Sequence, residues 1–336
     1  MALDSLFQPF DIGKFHLKNR LVFPPAASVT GIVTPTGIAW YERIARGGVG
    51  TIIVEGTRLG LFRDSEFAAN LAKLADTIHA HDVLAVIQLF QPPQTPDGEP
   101  ISVSGTDDAR AATTDEVKQI SGNFAHAAKV AFDAGFDGVE PHGAHGFFVN
   151  QFFSPLTNTR EDEYGGSLEN RMRLGIEVVQ AVKEVAGFDH LVFYRHTPEQ
   201  REEGGYTLGD SLEFGKRLGA AALDVLDVSP STHNVTPRET IGTPGPHAGL
   251  AEAFREVVQC PIMAVGGMND PDAAQRVLER GKVDLVAICR GLIADAEWPR
   301  KVAEGRLAEI VECVECNEAC YGNLFSGKQI ACTQWE

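Results

Sequence analysis

Eight short, continuously apolar segments alternate with amphipathic helical stretches along nearly the whole chain. They lie at 21–25, 51–56, 83–89, 136–140, 190–195, 225–229, 261–267 and 284–290. Apolar and polar residues do not alternate within them, so both faces of the sheet they form must be buried. That is the condition of a parallel sheet covered by helices. Helical periodicity fills the gaps over 38–46, 65–81, 114–134, 168–185, 210–222, 249–258 and 271–280, and a last helix is read over 299–304. Thr114 is taken as the N-cap of the third of these. Eight β-α units in about 300 residues predict an α/β chain closed into a (β/α)8 TIM barrel. A doubly wound sheet is the alternative. It is disfavoured because no Gly-x-Gly-x-x-Gly follows the first strand.

The remaining segments frame that barrel. Residues 1–18 hold two short apolar pieces around a turn at 11–13 and read as an N-terminal lid. Residues 91–112, rich in Pro, Gly, Ser, Thr and Asp, form a long loop, and a loop that long in a compact chain usually serves function. The barrel is assigned to 1–305 and a cysteine-rich extension to 306–336. A net charge of −17 argues against nucleic acid or an anionic membrane surface as partner. No secretory signal and no membrane-length apolar run is visible. Four of the six cysteines crowd into the last 24 residues, unlike a disulfide framework, so a reducing cytoplasm is expected.

In a TIM barrel, function sits at the C-terminal strand ends. The fourth strand opens into HGAHGFFVNQFFSPLTNTREDEYGGSLENRMR, with His142 and His145 three apart where it ends. Two histidines so placed can donate hydrogen bonds to one anionic or carbonyl oxygen. The seventh strand ends in Gly266–Gly267 and the eighth in Cys289–Arg290–Gly291. Paired glycines let backbone N–H groups approach a phosphate, and an arginine can grip it bidentately.

The long run from His142 resembles the old yellow enzyme family of flavin oxidoreductases. Further matches extend along the chain: LKNRLV at 17, EGT at 55, YR at 194, EEGGYT at 202, AVGGMNDPDAAQRVL at 264 and DLVAICRGLIADAEWPRKV at 284. The resemblance implies a TIM barrel holding FMN non-covalently. It implies flavin contacts from Pro25, Ala26, Ala27 and Gly56, and a hydrogen bond from Gln88 to the pyrimidine edge. Arg195 would stand beside the flavin N1/O2 edge, and Gly266, Gly267, Cys289 and Arg290 would bind the phosphate. His142 and His145 would hold the oxygen of an electron-withdrawing group on a small substrate.

Three positions depart from the family pattern. Phe147 stands where the family carries a proton-donating tyrosine. The QLxHAGR run reads QLFQPPQ, losing a histidine and an arginine. Ala27 replaces a residue that is often Cys or Thr. His233, in SPSTHN, is the candidate substitute proton donor, with a solvent-facing loop histidine as the alternative.

Cys313, Cys316, Cys320 and Cys332 have spacings that can wrap one cluster. The spacing, with Asn317 after the second cysteine, is similar to the 4Fe–4S site of the branch containing 2,4-dienoyl-CoA reductase, enoate reductases and trimethylamine dehydrogenase. A four-cysteine zinc site and unligated thiols are the alternatives. The resemblance implies reduction of an activated C=C bond. Electrons would come from NAD(P)H, directly or through an external flavoprotein or ferredoxin. Oxidative demethylation of an amine, with Phe90, Phe147, Phe148 and Tyr206 as an aromatic cage, is a second reading. A flavin electron-transfer module is a third. The sequence leaves the oligomeric state open, a homo-oligomer included.

Overall fold

The computed structural model describes residues 3–230 and 245–335. Its centre is a closed barrel of eight parallel strands in chain order. They are β1 Leu21–Phe23, β2 Thr51–Arg58, β3 Leu84–Phe90, β4 Gly138–Gly143, β5 Leu191–His196, β6 Val225–Val228, β7 Ile262–Val265 and β8 Leu285–Ala287. The ring closes where Val286 pairs with Leu21 and Ala287 with Val22. The expected TIM barrel is therefore present, and every expected strand is in it.

Two layers of apolar packing account for the continuous hydrophobicity of the strands. Outward-facing residues such as Ile52, Ile87, Val192 and Val286 pack beneath the helices. Inward-facing Val22, Ile53, Val86, Phe193 and Met263 form a separate cluster inside the ring. Truncating a ring as completely buried as Phe193 to alanine would cost roughly 3–5 kcal/mol.

Residues 3–18 do not cover the ring's mouth. Phe10–Ile12 and Phe15–Leu17 form an antiparallel hairpin whose Ile12 and Leu17 join the interior cluster from the N-terminal ends of the strands. The expected lid is thus a plug at the opposite end, because its alternate residues are apolar and need the barrel's floor. A second correction concerns the helix Thr114–Asp133. Its N-cap is Thr113, whose side chain accepts from the Glu116 N–H while the Glu116 carboxylate takes the Thr113 N–H. A residue with extended backbone is needed there, and Thr113 supplies it. The polar run after β4 also contains a buried six-residue helix, Phe148–Phe153.

Aspartates recur at the foot of the even strands. Asp137, Asp224 and Asp284 immediately precede β4, β6 and β8. Each accepts the backbone N–H of the preceding strand, from Ala85, Val192 and Ile262, at 2.8 Å. Each also meets a basic side chain: His79 at 2.8 Å, Lys183 at 2.6 Å, and Arg255. Before β2 the same place is Gly50, where Asn19 Oδ1 accepts the Leu21 N–H instead. A Cβ on Gly50 would lie 2.7 Å from that oxygen, so glycine is required. This fixed floor holds the strand ends, and hence the mouth, in register.

Candidate active site

The C-terminal strand ends surround one cavity of about 510 Å³. Of the residues singled out from sequence, Pro25, Ala26, Ala27, Gly56, Gln88, His142, His145, Arg195, Gly266, Gly267, Cys289 and Arg290 all line it. His233 lies outside the described residues.

Local irregularities of the backbone make room for the cavity. In β2 the register shifts between Val54 and Thr57, so Glu55 and Gly56 leave the ladder. Glu55 Oε2 then accepts the Ser28 N–H at 2.5 Å and the Tyr41 O–H at 3.3 Å, pinning the segment after β1 that carries Pro25 to Ala27. A Cβ on Gly56 would stand 3.0 Å from Gln88 Oε1. Gly266 and Gly267 have φ of +105° and +68°, a conformation that favours glycine and leaves their backbone bare to the cavity.

Charge is concentrated beneath this mouth. Arg195, Glu140 and Asp227 are all buried, with Arg195 Nε 3.3 Å from Asp227 Oδ2. Gln88 Nε2 donates to Glu140 Oε1 at 2.8 Å, while Glu140 Oε2 has no hydrogen-bond partner among the described residues. Burial raises the Glu140 carboxyl well above the usual range, and the nearby Asp227 raises it further. Burial also raises Asp227, and the Arg195 guanidinium opposes that rise.

The two histidines stand with ring centroids 5.4 Å apart, nearly perpendicular. The His142 Nδ1 accepts the Ala144 N–H at 3.3 Å, which leaves the ring proton on Nε2. Burial, helped by Arg195, lowers His142 to about 3 and holds His145 well below the usual histidine value. Both rings are therefore neutral at physiological pH. His145 Nε2 and Arg195 Nη2 share the Ser229 hydroxyl, at 2.8 and 2.9 Å. The His145 backbone sits at φ +58° with its N–H given to Thr197 Oγ1. A non-glycine residue in that region is strained, and the bond to Thr197 helps hold it.

Aromatic residues divide sharply. Phe147 lines the cavity, 4.5 Å from the His142 ring and 5.7 Å from Phe90. Phe148 and Tyr206 are fully buried in the core, so two of the four cage candidates do not reach the cavity. Sequence reading assigns no role to Asp227, His247 or Tyr321, although the last two line the cavity. A charged residue inside an apolar strand was the visible signal for Asp227.

The cysteine-rich extension supplies the outer wall through Tyr321, Leu324, Phe325 and Ile330. It is tied to the barrel by the Ile330 N–H to Ser28 O, at 3.2 Å, and by the Trp335 indole N–H to Ile293 O, at 3.1 Å. All six cysteines are free. Cys313, Cys316, Cys320 and Cys332 line a second, small cavity of about 20 Å³, and Arg290, Ile293 and Cys320 border both cavities. Among the described residues, no three His, Cys, Asp or Glu side chains stand at the spacing of a single-ion site. No described helix is long and apolar enough to cross a membrane.

Comparison with known proteins gives a consistent picture. The family model described as NADH:flavin oxidoreductase / NADH oxidase matches residues 5–309. A curated "NADH oxidase" of Thermoanaerobacter brockii is 35% identical over 98% of this chain and 55% of its own length. A "Cinnamate reductase" of Clostridium sporogenes is 29% identical over 97% of this chain and 57% of its own. The solved histamine dehydrogenase from Rhizobium sp. 4-9 superposes with a TM-score of 0.87 at 30% identity, over 99% of this chain and 52% of that one. The chain thus spans little more than half the length of these two curated relatives.

Proposed function

The chain belongs to the NADH:flavin oxidoreductase / NADH oxidase family of flavin-dependent enzymes, and from that premise we propose that it binds FMN and reduces an activated C=C bond of a small substrate. One observation carries the proposal. Two neutral histidines and a buried arginine meet on a single cavity, whose wall also carries Gln88, Ser229 and Arg290 among glycine backbone and apolar side chains.

The residues present fit such a cofactor. Gln88 and Arg195 would hold the polar edge of the ring, and Pro25, Ala26, Ala27 and Gly56 would contact it through backbone. Gly266, Gly267, Cys289 and Arg290 would hold the phosphate. The bound flavin would supply hydride to the β-carbon of the substrate. His142 and His145 would donate to the carbonyl oxygen, where negative charge grows in the transition state. Their neutrality suits this role, because a neutral N–H donor leaves no trapped charge before reaction. Phe147 cannot give a proton to the α-carbon. That proton must come from water or from another group.

The four thiols around one small cavity support a 4Fe–4S cluster fed by NAD(P)H, directly or through a flavoprotein or ferredoxin. Free thiols suit a reducing cytoplasm. Amine oxidation is the second reading, favoured by the Phe90–Phe147 pair on the cavity wall and by likeness to histamine dehydrogenase. Anaerobic stopped-flow mixing separates the readings. Reoxidation of reduced protein by an enone supports the first, and reduction of oxidised protein by an amine supports the second. Neither reaction leaves a flavin electron-transfer module.

A further inference from the structure

Arg290 faces two ways. It borders the large cavity, as Gly266 and Gly267 do, and it also borders the small cavity lined by the four thiols. Its Nη1 donates to Asn317 Oδ1 at 3.0 Å, and its Nη2 lies 3.4 Å from Glu315 Oε1. Glu315 lies between Cys313 and Cys316, and Asn317 between Cys316 and Cys320. The residue suited to an anion in one cavity is therefore held by the loop that carries the thiols of the other.

That loop is not held by local preference. Glu315 and Asn317 have φ of +55° and +61°, values that cost a non-glycine residue, Glu315 most. Some tertiary tie must fix them. The contacts to Arg290 are one such tie, and ligation of the flanking cysteines would be another. A guanidinium has five N–H donors in a rigid fork. It can serve the loop and an anion together, provided the loop presents its acceptors in place.

We infer that Arg290 couples the two sites, so that filling the thiol site with iron and sulfide tightens binding of the phosphate-bearing cofactor, and the reverse. The sign is positive because an ordered loop holds the guanidinium where a phosphate would need it. The coupling rests on the FMN and cluster assignments proposed above. Linkage makes it reciprocal: whatever factor the cluster adds to FMN affinity, FMN must add to cluster retention.

The test is FMN titration of the 336-residue chain in two states, iron-loaded and chelator-stripped, followed by quenching of flavin fluorescence. FMN should bind about 10-fold more tightly to the loaded form, within the usual span of such couplings. Iron should leave the FMN-saturated protein more slowly in the presence of chelator. Asn317→Gly keeps the positive φ and removes the amide, so both sites should still fill while the affinity ratio falls toward one. Equal FMN affinity in both states, with iron content confirmed, overturns the coupling and leaves the cluster assignment standing. A protein that takes up no iron under anaerobic reconstitution overturns both. An undiminished ratio in Asn317→Gly overturns the route through Arg290.

Discussion

Gln88 turns its amide nitrogen to Glu140, donating to Oε1 at 2.8 Å, and its oxygen toward Gly56. The orientation follows from the acceptor, because a carboxyl oxygen without a proton can only accept. A ligand meeting Gln88 from the cavity therefore meets a fixed acceptor. Replacing Glu140 with leucine frees the amide to turn and leaves it unpaired in a buried place. FMN affinity should fall about 10-fold, the scale of one lost buried hydrogen bond. Glu140→Gln retains an acceptor and should stay within about 3-fold of the native value. Fluorescence titration of both variants decides it, and equal losses would show that Glu140 does not orient Gln88.

The neutral histidines make folding sensitive to acid. His142 is lowered to about 3 by burial and Arg195, against an unfolded value near 6.5. Between those values the unfolded chain binds a proton that the folded chain refuses. Stability is thus present above about pH 6.5 and is lost as pH falls toward the folded value, by about 1.4 kcal/mol per pH unit for each such group. His145 adds to the same slope, being lowered in the same direction. His142→Phe should flatten the dependence between about pH 6 and 4 in urea unfolding. An unchanged slope would mean that His142 is already charged in the folded protein.

The barrel was legible because continuous apolar strands permit few architectures, and eight of them in regular alternation permit fewer. The wall of the site was legible where glycine or a polar residue ended a strand, as at Gly56, Gln88 and Gly266. What escaped was set by distant contact. The hairpin at 10–17 reads the same whether it caps the mouth or plugs the floor, and only its packing with Ile53 and Phe193 chooses. Thr113 and Thr114 are equally good caps on paper. Phe148 and Tyr206 are aromatic like Phe147, but Phe153 and His196 draw Tyr206 into the core. Tyr321 reaches the cavity from 126 positions after Arg195 (321 minus 195), and no local pattern announces that.

Iron should track four thiols and not the other two. Cys313, Cys316, Cys320 and Cys332 line one small cavity, whereas Cys260 lies near Arg255 and Cys289 lines the large cavity. Cys316→Ser or Cys332→Ser should remove most of the iron and acid-labile sulfide and the visible absorbance they produce. Cys260→Ser should leave all three in place. Zinc in place of iron after anaerobic purification, or iron retained in Cys316→Ser, would refute the assignment.

Phe147 is the position where a small change should add function. The residue is 40% exposed and lines the cavity, with its ring centroid 4.5 Å from that of His142, so a hydroxyl at its tip meets the cavity without forcing the core apart. Phe147→Tyr supplies an O–H donor beside the histidine pair. Where protonation of the α-carbon limits turnover, a positioned acid is worth about 100-fold or more. Reoxidation of the reduced protein by an enone should therefore quicken by about 10- to 100-fold, with enone affinity little changed, since the histidines still hold the oxygen. The rate should fall again at high pH as the phenol ionises, a limb absent from the native protein. A Phe147→Tyr protein no faster than the native one, with FMN bound and enone binding intact, would place the proton source elsewhere in the cavity and remove Phe147 from the limiting step.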